Sequence, residues 1–270
     1  MSIETEIVTN TSLEDGSFMS TKNKEILVSI IIPAYNSERF IEETIISALA
    51  QKVEKEIFII DDCSTDNTGE IIGKYLGYDE IKYIHNDINM GVAKSRNIGI
   101  RLACGKYIAF LDSDDVWAED KIFLQVKLLE QNKGVLCCSG RELISEQGKA
   151  LHRYIGVENE ITYRKLVKNN SISCSSVVLL TNVAREFFMC HDEYHEDFIM
   201  WLQILKKYKS AYGIDEPLLK SRLTSKGKSR NKIKSAYMTL GVYRYIGIGP
   251  IKSLLYLFNH LLNGIKKYYF

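Results

Sequence analysis

The chain has 270 residues, 46% of them hydrophobic and 26% charged, enough to bury a full core in one large domain or one domain with an appendage. Its 35 Lys+Arg against 34 Asp+Glu leave a formal net charge of +1, which argues against a nucleic-acid binder, whose basic footprint dominates its composition. The 6 cysteines have no CxxC spacing, and the adjacent Cys137-Cys138 pair is poor geometry for a disulfide or zinc site, so the thiols are expected to be reduced and mostly buried.

The first 25 residues are polar, with Glu4, Glu6, Glu14 and Asp15, and lack the basic start and apolar stretch of a secretory signal. They are expected to form a flexible leader, residues 1–25, on a cytoplasmic protein. From Leu27 the pattern becomes regular. The apolar run Leu27 to Ile32, bounded by Pro33, predicts a strand buried on both faces of a parallel sheet. Ser37 is placed to cap a helix carrying Ile41, Ile45, Ala48 and Leu49, and Glu56 to Ile60 reads as a second buried strand ending at Asp61-Asp62. The polar segment Cys63 to Thr68 opens another helix. A short strand at Lys82 to His85, a helix from Gly91 to Cys104 and a strand from Tyr107 to Leu111 continue the alternation.

Ligands of such sheets bind outside the carboxyl ends of the strands. Tyr35-Asn36, Asp61-Asp62 and Asp112-Ser113-Asp114-Asp115 each follow a strand, so they are expected to converge on one crevice. Beyond it the pattern predicts a helix at Glu119 to Gln131 and short strands at Val135 to Ser139, Leu143-Ile144 and Ala150-Leu151 around a turn at Glu146-Gln147-Gly148. A helix at Tyr163 to Lys168, a strand at Ser176 to Leu180, a helix after Thr181 and another at Asp197 to Lys207 follow.

Carboxylates crowded at a strand end are costly to desolvate without a cation, and hard oxygen ligands at Asp112, Asp114 and Asp115 suit Mg²⁺ or Mn²⁺. The competing reading is a helix N-cap by Asp114 or Asp115, and the same alternative stands for Asp61-Asp62. Asp62, beside Tyr35 and Asn36, is placed to accept a base N–H; neither GxGxxG nor GxxxxGK[ST] occurs there. Lys94 and Arg96, near a helix start, are unfavourable to its dipole unless they face an anion such as a diphosphate, the alternative being solvated cations. The run His191 to Asp197 holds two His and four acids, but consecutive residues point different ways and no HExxH is present; Asp197 or Glu196 as a general base is the stronger reading, a cap the bland one.

The segments Val28-Ser29-Ile30-Ile31-Ile32-Pro33-Ala34-Tyr35-Asn36, Ile60-Asp61-Asp62-Cys63-Ser64-Thr65-Asp66, Asn89 to Gly99 and Gly105 to Asp115 resemble the family 2 inverting glycosyltransferases of the GT-A fold. The match is specific across residues 27–120, recognisable to Asp197 and weak beyond about 210. The resemblance implies an α/β fold: a Rossmann-like, mainly parallel sheet flanked by helices, with a catalytic domain at 26–220 and a C-terminal helical appendage at 221–270. It implies donor contacts from Pro33, Tyr35, Asn36, Asp62, Lys94, Arg96, Asp112 and Ser113, and a DxD metal site on Asp114 and Asp112 for Mn²⁺ or Mg²⁺. Glu196-Asp197 resembles the family's acidic pair, in which the Asp is the base. Cys63 departs from the family pattern, where Gly or Asn is common.

The implied reaction is a single displacement: Asp197 takes the acceptor's proton as the hydroxyl attacks the anomeric carbon and UDP departs. An α donor then gives a β product. The QxxRW motif of processive members is absent from Phe198 to Gln203, so one sugar per encounter is expected. The segment from Pro250 is apolar at Ile251, Leu254, Leu255, Leu257, Phe258, Leu261, Leu262 and Ile265 among basic residues. It is expected either to lie on the cytoplasmic membrane or to pack on the catalytic domain. Lys220, Arg222, Lys226, Lys228 and Arg230 form a basic stretch for lipid phosphates, the acceptor diphosphate or solvent. The enzyme thus resembles peripheral O-antigen and capsule transferases that move UDP-glucose or UDP-galactose sugar, through a β1,3 bond, to an N-acetylhexosamine on undecaprenyl diphosphate. Two rivals remain: a haloacid-dehalogenase-like phosphatase with Asp112 as nucleophile, and a catalytically inactive nucleotide-sugar binding module.

Overall fold

The computed structural model describes residues 7–8, 25–224 and 231–269. The leader expected over 1–25, apart from positions 7, 8 and 25, and the basic residues Lys226, Lys228 and Arg230 lie outside the described residues.

After the short strand β1 (Ile7–Val8), the apolar run forms β2 (Val28–Ala34), buried at every position. Helix α1 (Ile41–Leu49) leads to β3 (Lys55–Asp61), α2 (Thr68–Gly73) to β4 (Ile81–His85), and α3 (Val92–Leu102) to β5 (Tyr107–Phe110). Side chains alternate across these strands: Ile30, Ile57 and Ala109 enter one apolar cluster with α1 and α2, while Ile31, Phe58 and Phe110 enter the other with α3. Burial on both faces is why the strands read as continuous apolar runs.

The chain moves outward from β2 through β3 to β4, then returns to place β5 on the other side of β2, and these four strands are parallel. That reversal makes a topological switch point between β2 and β5, where open α/β sheets bind ligands. The β2–β5 pairing spans Val28 to Ile31 on β2, so Pro33, which has no N–H to donate, lies beyond it and the strands part at the crevice.

β6 (Val116–Trp117) and α4 (Lys121–Asn132) precede β7 (Leu136–Ile144) and β8 (Ala150–Ile155), joined by the hairpin at 145–149; then come β9 (Glu160–Thr162) and α5 (Tyr163–Leu166). β10 (Val178–Leu180) lies antiparallel between β5 and β7, followed by α6 (Thr181–Glu186) and α7 (Glu196–Tyr208). The final strand, β11 (Ser210–Arg222), pairs with β7, β6 and β9, and helices α8 (Lys232–Tyr245) and α9 (Pro250–Tyr269) close the described chain. The architecture is a mixed α/β sheet flanked by helices with helices at the C-terminal end.

Several sequence expectations are corrected. α1 starts at Ile41, not beside Ser37, because the Phe40 and Ile41 amides both donate to the Ser37 carbonyl in a preceding turn. The two strands expected over Val135–Ile144 are one, since β7 keeps pairing through Arg141 and Glu142 with β8 and β11. β11 was illegible: its charged residues and Pro217 break the apolar pattern, and the ladder shifts register on both sides of Pro217. Lys220 and Arg222 therefore belong to β11 rather than to a loop, Lys220 exposed and Arg222 buried. Position 220 falls inside this strand. Among the cysteines, Cys137, Cys138 and Cys174 are buried, Cys63 and Cys190 are partly exposed and Cys104 is exposed; all are free.

Candidate active site

The crevice is built from the loops after β2, β3 and β5 and the start of α7. Asn36 and Cys63 take left-handed backbone conformations, φ 48° and 65°, which explains why Gly or Asn suits position 63. Asn36 Oδ1 accepts the Thr65 amide at 2.8 Å and the Asn36 amide donates to Ser64 Oγ at 2.9 Å, so the two loops brace each other and leave the Tyr35 ring half exposed. Asp62 is buried; its carboxylate accepts the Asn86 side-chain amide at 2.9 Å, the Met90 amide at 2.9 Å and the Gly91 amide at 2.7 Å. It holds the loop that leads into α3.

The cap readings of both acidic pairs fall away. α2 begins after Asn67, with Asp66 Oδ1 accepting the Thr68 amide, and α4 begins after Asp120, beyond β6. Asp61 instead accepts the Tyr83 hydroxyl at 2.9 Å and the Ser64 amide at 2.9 Å.

On α3, Lys94 is exposed, whereas Arg96, two residues on and across the helix, turns inward and is buried. Its guanidinium donates from Nη2 to Asp112 Oδ1 at 2.6 Å and from Nη1 to Glu196 Oε1 at 2.8 Å. Residues 96, 112 and 196 thereby join three elements. Asp112 also donates its amide to Ser175 Oγ at 3.0 Å, and Ser113 Oγ lies 2.7 Å from Ser37 Oγ, tying the β5 loop to the β2 loop.

Beside Asp112, Asp114 is pushed up to about 6, first by burial and then by the Asp112 charge. Asp115 is raised by burial and by both neighbouring carboxylates; its Oδ1 accepts the Arg222 amide at 2.9 Å. Asp197 is likewise raised to about 6, by burial and the adjacent Glu196, against the opposing pull of His195 and Arg96; its Oδ1 accepts the Phe198 amide at 2.7 Å. A carboxyl near 6 is suited to accept a proton at neutral pH.

The donor set at Asp112 and Asp114 fits a divalent cation in kind: hard carboxylate oxygens whose mutual repulsion a cation would relieve. Among the described residues no group of three or more His, Cys, Asp or Glu could enclose a metal. An ion held by these two carboxylates alone would need further ligands from outside the protein, such as phosphate oxygens.

Residues the sequence reading missed include Arg222, whose Nε donates to the Asp114 carbonyl at 2.8 Å and whose Nη2 reaches Glu43 at 2.5 Å. Asp192 is another: its Oδ1 accepts the Ala93 amide at 2.8 Å, so it serves the N-terminus of α3 rather than a metal cluster. Arg222 was hidden in a string of basic residues and Asp192 in a string of acidic ones, with no period to single either out.

Residues 29–182 match the profile of Glycosyl transferase family 2. The chain belongs to this family. It is 35% identical over 248 residues to TuaG of Bacillus subtilis (strain 168), a glycosyltransferase provisionally assigned to teichuronic acid biosynthesis, covering 91% of this chain and 98% of TuaG. It is 34% identical over 248 residues to WfgD of Escherichia coli, a UDP-Glc:α-D-GlcNAc-diphosphoundecaprenol β-1,3-glucosyltransferase, covering 91% of this chain and 96% of WfgD. The fold superimposes on S. aureus TarS 1-349 in complex with UDP-GlcNAc with a TM-score of 0.70 at 18% identity, over 89% of this chain and 73% of that one. The mannosyltransferase PcManGT from Pyrobaculum calidifontis, in complex with GDP-Man and Mn²⁺, superimposes with a TM-score of 0.66 at 16% identity, over 88% of this chain and 69% of that one. This transferase is thus an enzyme that uses a nucleotide-diphosphate sugar, on a GT-A fold. The phosphatase reading gives way to that membership and to the Arg96–Asp112 ion pair, which ties up the carboxylate a phosphatase would use as nucleophile. No helix among the described residues is long and apolar enough to cross a membrane.

Proposed function

We propose that this enzyme is a non-processive inverting hexosyltransferase acting in O-antigen or capsule synthesis. It moves glucose or galactose from UDP, through a β1,3 bond, to an N-acetylhexosamine on undecaprenyl diphosphate at the cytoplasmic face of the membrane. The observation that carries the reading is the Arg96 bridge, which couples Asp112, at the donor end, to Glu196, beside the base. The β1,3 bond and the UDP-glucose donor draw support from WfgD, whose name specifies both.

Pro33, Tyr35, Asn36 and Asp62 form the nucleoside side of the cleft; Asp62 keeps one oxygen with spare acceptor capacity beyond the Gly91 amide. Lys94 and Arg96 supply positive charge toward the diphosphate, and Asp112 and Ser113 complete the donor contacts. Mn²⁺ or Mg²⁺, held by Asp114 and Asp112, would neutralise the charge of the diphosphate as it leaves. Asp197 removes the proton from the acceptor hydroxyl as that oxygen attacks the anomeric carbon from the face opposite UDP. Glu196, paired with Arg96, holds the negative field that keeps the Asp197 carboxylate basic.

Incubation with Mn²⁺, a panel of UDP-sugars and a lipid-diphosphate N-acetylglucosamine, with the product weighed by mass spectrometry, tests the proposal. A single added hexose from UDP-glucose or UDP-galactose supports it. Release of free sugar alone, or transfer only from another donor class, contradicts it.

A further inference from the structure

Charge is segregated along this chain. Eleven of its 35 Lys and Arg, and none of its 34 Asp and Glu, lie beyond Glu216. The helices α8 and α9 occupy most of that stretch and pack against each other, with the Tyr243 and Tyr256 rings 6.0 Å apart.

α9 has two apolar faces. One, with Ser253, Tyr256, Leu257 and His260, rests on the catalytic domain, where His260 stacks on Phe198 with ring centroids 6.5 Å apart. The other holds Ile251, Leu254, Leu255 and Phe258, exposed at 77%, 62%, 58% and 61%. Their spacing of three, four and seven residues is one continuous helical stripe. α8 carries Ile233 and Tyr237, exposed at 85% and 70%, between the exposed Lys232 and Arg244. An apolar stripe of this size left in water costs free energy that a partner would recover.

We propose that this stripe is a docking surface for an anionic lipid bilayer. The proposal rests on the reading that the acceptor is lipid-linked, and it names the surface that brings the enzyme to it. The two helices themselves carry Lys232, Lys234, Arg244, Lys252, Lys266 and Lys267 and no Asp or Glu, a composition that complements anionic headgroups, and apolar side chains flanked by Lys and Arg are the chemistry of an interfacial helix. One face of α9 rests on the catalytic domain and leaves the other available to the bilayer. The surface is also tied to the acceptor side of the site: His195 Nε2 lies 3.3 Å from the Ser235 carbonyl of α8, and the rings of His191 and Tyr245 are 4.5 Å apart. Gly241 of α8 meets the Tyr194 ring so closely that a Cβ there would lie 2.2 Å from it. The segment leading to Asp197 is therefore built against the helix that continues into the docking surface.

Sedimentation of the full chain with vesicles of phosphatidylcholine, with and without phosphatidylglycerol, tests this. Binding should be stronger to the anionic vesicles by roughly tenfold or more and weaken with salt. The double variant Leu254→Glu/Phe258→Glu should lose binding by about a hundredfold, while keeping its melting temperature, its UDP affinity and its transfer to a water-soluble N-acetylglucosamine diphosphate acceptor. Equal binding to both vesicle types, or wild-type binding by the double variant, overturns the proposal. So does a concentration-dependent dimer that the same substitutions dissolve without any vesicle binding, since the stripe would then cover a second copy. Vesicle binding without hexose transfer leaves the docking surface standing and removes the acceptor reading instead.

Discussion

Arg96 and Glu196, a hundred positions apart in the chain, form an ion pair of 2.8 Å in which both side chains are almost wholly buried. The other arm of the guanidinium holds Asp112 at 2.6 Å, so one cation organises both ends of the cleft. Removing one member of such a set strands a buried charge. Arg96→Gln is expected to destabilise the fold by roughly 3–5 kcal/mol and to abolish transfer. Arg96→Lys, which keeps the charge but has no fork to bridge two carboxylates, should recover much of the stability and little of the activity. Thermal unfolding and transfer rates of the two variants check the split.

Asp114 sits with its folded pKa raised to about 6 from 3.8. A raised carboxyl favours the fold when protonated, so its contribution is fully present below about 3.8 and lost as pH rises through about 6. Asp114→Asn should therefore be more stable than the wild type at pH 7.5 by about 1–2 kcal/mol, with the advantage vanishing near pH 4. The same variant should lose Mn²⁺-dependent UDP binding. Urea titrations at the two pH values, with calorimetric UDP binding, measure both halves of the trade.

Arg222 grips the motif from below. Its amide binds the Asp115 carboxylate, its Nε the Asp114 carbonyl, and its Nη1 the Ser145 and Glu146 carbonyls at 3.5 and 3.3 Å. Arg222→Met keeps the amide bond but leaves those carbonyls without their donor. A loss of about 2–3 kcal/mol is expected, together with a KM for the UDP-sugar raised roughly tenfold and a smaller change in kcat. Unchanged donor KM would reduce Arg222 to a structural residue.

How much of this was legible depended on whether local pattern or distant contact decided the outcome. The apolar runs at 28–32, 56–60 and 107–111 announced the parallel strands because burial on both faces leaves no choice of residue. The convergence of Tyr35, Asp62 and Asp112 followed from strand ends alone. β11 and α8 were illegible: one carries Pro217 and charges that pair across bulges, the other has no clear apolar stripe. The inward turn of Arg96, and the role of Asp192 at α3, depend on contacts nearly a hundred residues away.

Gly99 shows how closely α3 must approach the sheet for Arg96 to reach its partners. A Cβ at this position would lie 2.7 Å from Ile31 Cγ2 of β2. Gly99→Ala should cost about 1–3 kcal/mol by overpacking and lower activity by shifting α3, and Ile31→Ala in the same chain, which removes both Cγ atoms in the way, should restore part of the activity. Melting temperatures and transfer rates of the single and double variants form the test.

The claim on which the mechanism stands is that Asp197, raised to about 6 by burial and Glu196, removes the acceptor's proton. The most direct measurement is single-turnover transfer by Asp197→Asn beside its Mn²⁺-dependent UDP affinity. The account predicts transfer reduced by at least about a thousandfold, with UDP bound as tightly as by the wild type. Wild-type turnover in that variant would contradict it.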